Sequence, residues 1–171
     1  MVKIARDLLD AAQRIQAEVP KKGRPPDEPH EPDSEQVIPH SLFRKTRGYI
    51  ELIAFQINGS YENGWFDACA VMIRRLLETL IIEAFEHHKI ADRIQNSQGD
   101  FLYLRDLINA TLNESTWNLS RNTKKALPKL KDIGDKSAHS RRYNAHRGDI
   151  EKVMVDLRGV VQELLYLANL K

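Results

Sequence analysis

The run from Trp65 to His88, WFDACAVMIRRLLETLIIEAFEHH, constrains this chain more than any other stretch. Phe66, Cys69, Ile73, Leu76, Leu80 and Ala84 recur at steps of three and four, which places them on one face of a helix. Trp65, Ala68, Met72, Leu77, Ile81 and Phe85 form a second stripe beside the first. A helix apolar around so much of its circumference needs neighbours on more than one side. The run therefore predicts the central helix of a bundle.

Length and composition fit such a bundle. A chain of 171 residues, 42% hydrophobic and 29% charged, is sized for one domain with a real core. Its single cysteine, Cys69, rules out an internal disulfide and falls on the apolar face, where it reads as a small buried hydrophobe. The first residues carry charges throughout and lack the apolar centre of a secretory signal. No apolar run reaches membrane-spanning length, so the expectation is a cytoplasmic protein with no membrane partner. The net charge of +2 hides an asymmetry. From Arg121 to Arg147 there are nine Lys or Arg against Asp132 and Asp135, which leaves the remainder net acidic. A polyanionic partner would meet the basic segment.

In chain order, residues 1–19 read as an amphipathic helix with Ile4, Leu8, Ala12 and Ile15 on one side. Residues 20–38, holding five of the seven prolines, read as an extended linker that cannot build a core. Residues 39–171 form the expected bundle domain. Its first helix is predicted over 41–58, with Ser41 as N-cap and Asn58-Gly59 as stop. The short connection after it sends the central helix back antiparallel. In the central helix Asp67 suits the first turn, and Arg74 and Glu78 pair on the exposed strip. Asn96-Ser97-Gln98-Gly99 marks a turn, and Phe101 to Leu112 reads as a shorter helix. A loop pinned by Trp117 follows. The next helix is placed near Ala126, because Pro128 fits a first turn, with Leu127, Leu130, Gly134 and Ala138 on one face. Gly134 and Ala138 are small enough to let a neighbour approach closely. After a basic loop at 140–148, Asp149 is expected to cap a last apolar helix. The fold class is all-α.

Motifs for nucleotide, zinc-hydrolase, thiol and serine chemistry are missing from the sequence. His87 and His88 point about a hundred degrees apart on a helix, so a metal site would need His30 or His40 as well, and no metal or cofactor is expected. The stretch LPKLKDIGDKSAHSRRYNAHRGD is the richest in polar chemistry. It places His139 and His146 beside Lys136, Arg141, Arg142 and Arg147. In a metal-free ribonuclease an imidazole takes a proton from the 2′-hydroxyl while a cation stabilises the phosphate. The same cations suit plain phosphate binding. A solvated basic loop is the third reading the residues allow.

YENGWFDACAVMIRRLLETLIIEAFE followed by LPKLKDIGDKSAH resembles a bacterial family of unknown function in the HEPN superfamily, often attached to restriction-type defence enzymes. Gly64, Trp65 and Ala68 match its start, Arg74 to Glu78 match its Arg-Arg-Leu-Leu-Glu helix, and Gly134, Ala138 and His139 match its third element. Asp135 stands where asparagine is usual. The resemblance spans roughly residues 41 to 170 and implies a short antiparallel helical bundle that pairs with a second copy. Active members are metal-independent ribonucleases, commonly toxins or defence effectors, with an Arg and a following His separated by four to six intervening residues. Ahead of His139 the eligible positions hold Asp132, Ile133 and Gly134, none of them Arg; downstream, Arg141 and His146 fit the spacing.

The combined expectation is a HEPN-like module without the usual catalytic Arg, binding RNA or another nucleic acid in a defence, toxin–antitoxin or stress setting. Lys136, Arg141, Arg142 and Arg147 would contact phosphates. The alternatives are an endoribonuclease using His139 or His146 with Arg141, and a non-enzymatic scaffold reaching a protein partner through residues 1–38.

Overall fold

The computed structural model describes residues 36–171. Six α-helices account for most of them: α1 (His40–Phe43), α2 (Gly48–Glu62), α3 (Phe66–His87), α4 (Leu104–Asn113), α5 (Arg121–His139) and α6 (Arg147–Leu167). A 3-10 turn, Ala91–Ile94, lies between α3 and α4. Among the described residues there is no strand, only one isolated bridge between Gln95 and Phe101. None of their helices is long and apolar enough to cross a membrane. The expected N-terminal helix, most of the linker and His30 lie outside the described residues.

The all-α expectation holds, and α3 is the central element. It packs against α2, α4, α5 and α6. Cys69, Ile73, Leu76, Leu80 and Ala84 are all buried, and burial pushes the Cys69 thiol up to about 12. The second stripe divides. Leu77, Ile81 and Phe85 are buried, whereas Trp65 and Ala68 at the start of the helix are exposed. Helix α2 runs antiparallel to α3: Tyr49 at its start donates to Glu83, and Tyr61 at its end meets Phe66 edge-on at 5.8 Å. Trp117 pins the loop after α4 as expected, its Nε1–H donating to the Thr111 carbonyl at 3.2 Å and its ring lying edge-on to Phe85.

Several boundaries differ from the sequence reading, each for a tertiary reason. The helix predicted over 41–58 is broken: α1 is one turn, Lys45 takes a positive φ of 69°, and α2 begins only at Gly48. Asn58-Gly59 does not stop α2. The Asn58 side chain is buried and holds both backbone groups of Ile38, accepting from its N–H at 3.0 Å and donating to its carbonyl at 2.8 Å. The helix ends instead at Asn63, followed by Gly64 with φ of 75°. The linker was expected to reach residue 38, but Val37 and Ile38 are fully buried. Arg158 on α6 donates to the carbonyls of Gln36 and Val37, the latter at 2.9 Å. Two buried apolar residues and a half-buried arginine contact thus attach 36–38 to the bundle.

The short helix starts at Leu104 rather than Phe101, which is taken up by the bridge to Gln95. Helix α5 starts at Arg121, five residues before the expected Ala126. Ser120 caps it by accepting from the Thr123 N–H at 3.2 Å. Glu163 of α6 holds this start, accepting from the Ser120 N–H, the Ser120 hydroxyl and the Thr123 hydroxyl. Pro128 therefore sits inside the helix. It leaves the Lys124 carbonyl without its intrahelical donor, on a side of the helix where Lys124 and Pro128 both face solvent. Asp149 is not the N-cap of α6 but its third residue, accepting from the His146 N–H at 3.1 Å. Ala138 is exposed, whereas Gly134 is buried where α5 crosses α3.

One surface link sets a pH response. Glu114 accepts two hydrogen bonds from Arg93 at 2.9 and 2.8 Å and two from Thr116, which together hold its carboxyl down from 4.5 to about 2. The folded value lies below the unfolded one, so this stabilisation is present above pH 4.5 and is lost as the pH falls toward 2. Glu114→Gln is expected to flatten the stability profile over that window. Superimposable wild-type and variant melting profiles between those values would refute it.

Candidate nucleic-acid interface

Helix α5 is a two-sided element. Ala126, Leu127, Leu130, Ile133 and Gly134 are buried against the bundle, while Arg121, Lys124, Lys125, Lys129 and Lys136 stand exposed. At 19 residues it is about 28 Å long, so its outer side forms a basic ridge. The loop from Ser140 to Ala145 continues the ridge with Arg141 and Arg142, both exposed. What seats the ridge this close to the core is Gly134. A Cβ there would lie 2.7 Å from the Arg74 Cβ and 3.0 Å from the Ala70 carbonyl oxygen.

Along one edge of the ridge runs an open groove of about 470 Å³ lined by Arg74, Tyr103, Arg105, Asp106, Lys131, Asp135 and His139. Asp135 is its pivot. Arg74 Nε donates to Asp135 Oδ1 at 2.8 Å, and Lys131 Nζ donates to Asp135 Oδ2 at 2.7 Å. Burial pushes the Asp135 carboxyl up, but the bonds from Lys131 and Arg74 outweigh it and hold the group below its usual value. The same bond, with a second to Asp132 at 3.3 Å, raises Lys131. Three cations against two carboxylates leave the groove one positive charge, with His139 at its rim. Arg74, expected on the exposed strip with Glu78, is instead mainly a partner of Asp135; its contact with Glu78 is 3.8 Å.

On the other edge, Lys129, Lys136 and Lys152 share a second groove with Asp132, Asp149 and Tyr143. Lys136 is exposed and lines this second groove. His146 lies apart from His139, at the N-terminal boundary of α6, with its backbone N–H held by Asp149. Arg147 differs from the other sequence candidates. Its Nη1 donates to the Tyr61 hydroxyl at 3.0 Å, its guanidinium lies 4.8 Å above the Tyr61 ring, and it pairs with Glu151 at 3.8 Å. It joins the start of α6 to the end of α2. The loop before it is tied down by the Ala145 N–H, which donates to Asp67 at 2.9 Å. His40 stacks on Phe55 and meets Phe43 edge-on, and His88 packs against Trp117. Among the described residues no three His, Cys, Asp or Glu side chains converge as a metal site.

The sequence singles out His139, Lys136, Arg141 and Arg142, all of them exposed, but not Tyr103 and Arg105, which line the groove with His139. Both sit at the start of α4, and nothing in their local pattern ties them to α5. A hint was available in Lys131, Asp135 and His139, which recur every four residues and so share one side of a helix.

No curated protein and no solved structure matches the chain. One family model matches residues 55–171, and it is described as Domain of unknown function (DUF4145). The matched span holds α3 to α6 and both grooves.

Proposed function

The chain belongs to the DUF4145 family, and from the surface that this family span carries we propose a HEPN-like module that binds nucleic acid through α5. The observation that carries the reading is the ridge itself. Arg121, Lys125, Lys129, Lys136, Arg141 and Arg142 follow one another along an exposed surface about as long as four or five nucleotides of extended strand. Residues scattered through the sequence support the HEPN-like part, since Arg74, Asp135 and His139 line one groove. The defence or stress setting and pairing of two copies rest on the resemblance alone.

Cations on an exposed ridge bind by releasing counterions from the phosphates. With about five phosphate contacts to a single strand, affinity is expected to fall about a hundredfold between ~50 and ~200 mM salt. Fluorescence anisotropy of a labelled RNA across that range measures it. Affinity independent of salt, or no binding at the low end, would remove the reading.

His139 beside Arg74 and Lys131 favours a second reading, metal-independent RNA cleavage with His139 as base. Arg141 with His146 is the other pair compatible with it. Cleavage of end-labelled RNA in excess chelator, lost in His139→Ala or in His146→Ala, would establish the activity and name the base. Intact RNA leaves a binding module.

A further inference from the structure

Tyr103 is 83% exposed, more than any other large apolar side chain among the described residues. A single exposed aromatic is ordinary on a protein surface. Two features set this one apart. It lines the groove that also holds Arg105, Lys131 and His139. And its backbone is fixed on both sides: the Leu102 N–H donates to the Ile94 carbonyl at 2.9 Å, and Leu104 is fully buried. The Tyr103 carbonyl in turn accepts from the N–H groups of Asp106 and Leu107 at 2.8 and 3.0 Å. A bulky ring is therefore held in water by an anchored backbone, next to cations. Phe101, 38% exposed, stands two residues away.

We propose that this groove receives single-stranded nucleic acid, with one base stacked on the Tyr103 ring and the adjoining phosphate against Arg105 and His139. The proposal rests on the nucleic-acid reading of α5 and adds the strand class to it. Bases of any sequence present a π-face, and an aromatic beside a basic track is how sequence-tolerant single-strand sites are built. A duplex keeps its base faces stacked inside and offers Tyr103 nothing unless a base is pulled out at a cost. The ridge alone would grip duplex and single strand alike, through phosphates. Tyr103 is what discriminates between them. Because its backbone is already fixed, little ordering is needed when a base arrives.

The test uses the full chain with a single-stranded RNA and a duplex of the same length. Tyr103→Ala is expected to weaken the single strand about tenfold or more. Duplex binding and the salt slope should not change, since no phosphate contact is removed. Tyr103→Phe should restore single-strand affinity. An RNA carrying 2-aminopurine should be quenched on binding wild type and much less so with Tyr103→Ala. Salt-dependent binding that is equal for wild type and Tyr103→Ala would overturn this inference while leaving the nucleic-acid reading intact. No binding at low salt would overturn both.

Discussion

Gly134→Ala is expected to destabilise the bundle by about 2 kcal/mol, although alanine is the better helix former. The new Cβ would stand 2.7 Å from the Arg74 Cβ and 3.0 Å from the Ala70 carbonyl, closer than packed atoms tolerate. Neither neighbour is the free end of a side chain, so α3 and α5 must separate. Separation would also stretch the Arg74–Asp135 bond and open the groove that depends on it. Gly159→Ala is the matched control. It lies in α6 with nothing within 4 Å of its Cβ position, and should stabilise by about 0.5–1 kcal/mol. Thermal unfolding of both variants gives the answer, at roughly 2–4 °C per kcal/mol. A Gly134→Ala variant that melts higher than wild type, as Gly159→Ala should, would mean that the helices are not in contact at Gly134.

Combined replacement of Lys136, Arg141 and Arg142 by alanine is expected to weaken single-stranded RNA binding about a hundredfold near ~0.1 M salt. The slope of log affinity against log salt should fall by about 2, the share of three phosphate contacts. All three side chains are exposed, so the melting temperature should barely move. Arg147→Ala should behave in the opposite way. That guanidinium is engaged by Tyr61 and Glu151, so its loss should lower stability and leave the salt slope nearly intact. A triple variant whose slope equals that of wild type would place the polyanion elsewhere. A large change of slope in Arg147→Ala would return that residue to the phosphate contacts.

The Arg147 contrast shows how far residue type alone carries an assignment. In the sequence it is one of four cations in a basic stretch, and nothing separates it from Arg141 or Arg142. The difference is made by Tyr61 and Phe66, more than eighty residues earlier, which the antiparallel packing of α2 and α3 brings beneath it. His139 was legible as a candidate because its chemistry is intrinsic. Its groove partners Arg74, Tyr103 and Arg105 belong to other helices and were not.

Periodicity by itself determined that residues 66–87 form a helix and that this helix is central, because a helix apolar on several sides can be satisfied only by surrounding neighbours. It also determined the burial of Cys69, while residue type determined the turn at Asn96–Gly99, the close approach at Gly134 and the basic character of α5. These properties are local, or follow from one face of one helix. The tertiary structure alone decided where helices begin and end when a distant side chain competes with local propensity. Glu163 extends α5 back past Pro128, and Asn58 turns inward to hold Ile38 instead of ending α2. It alone assembled the groove: Lys131 meets Asp135 four residues along the same helix, but Arg74 reaches it only after α3 and α5 have packed against each other.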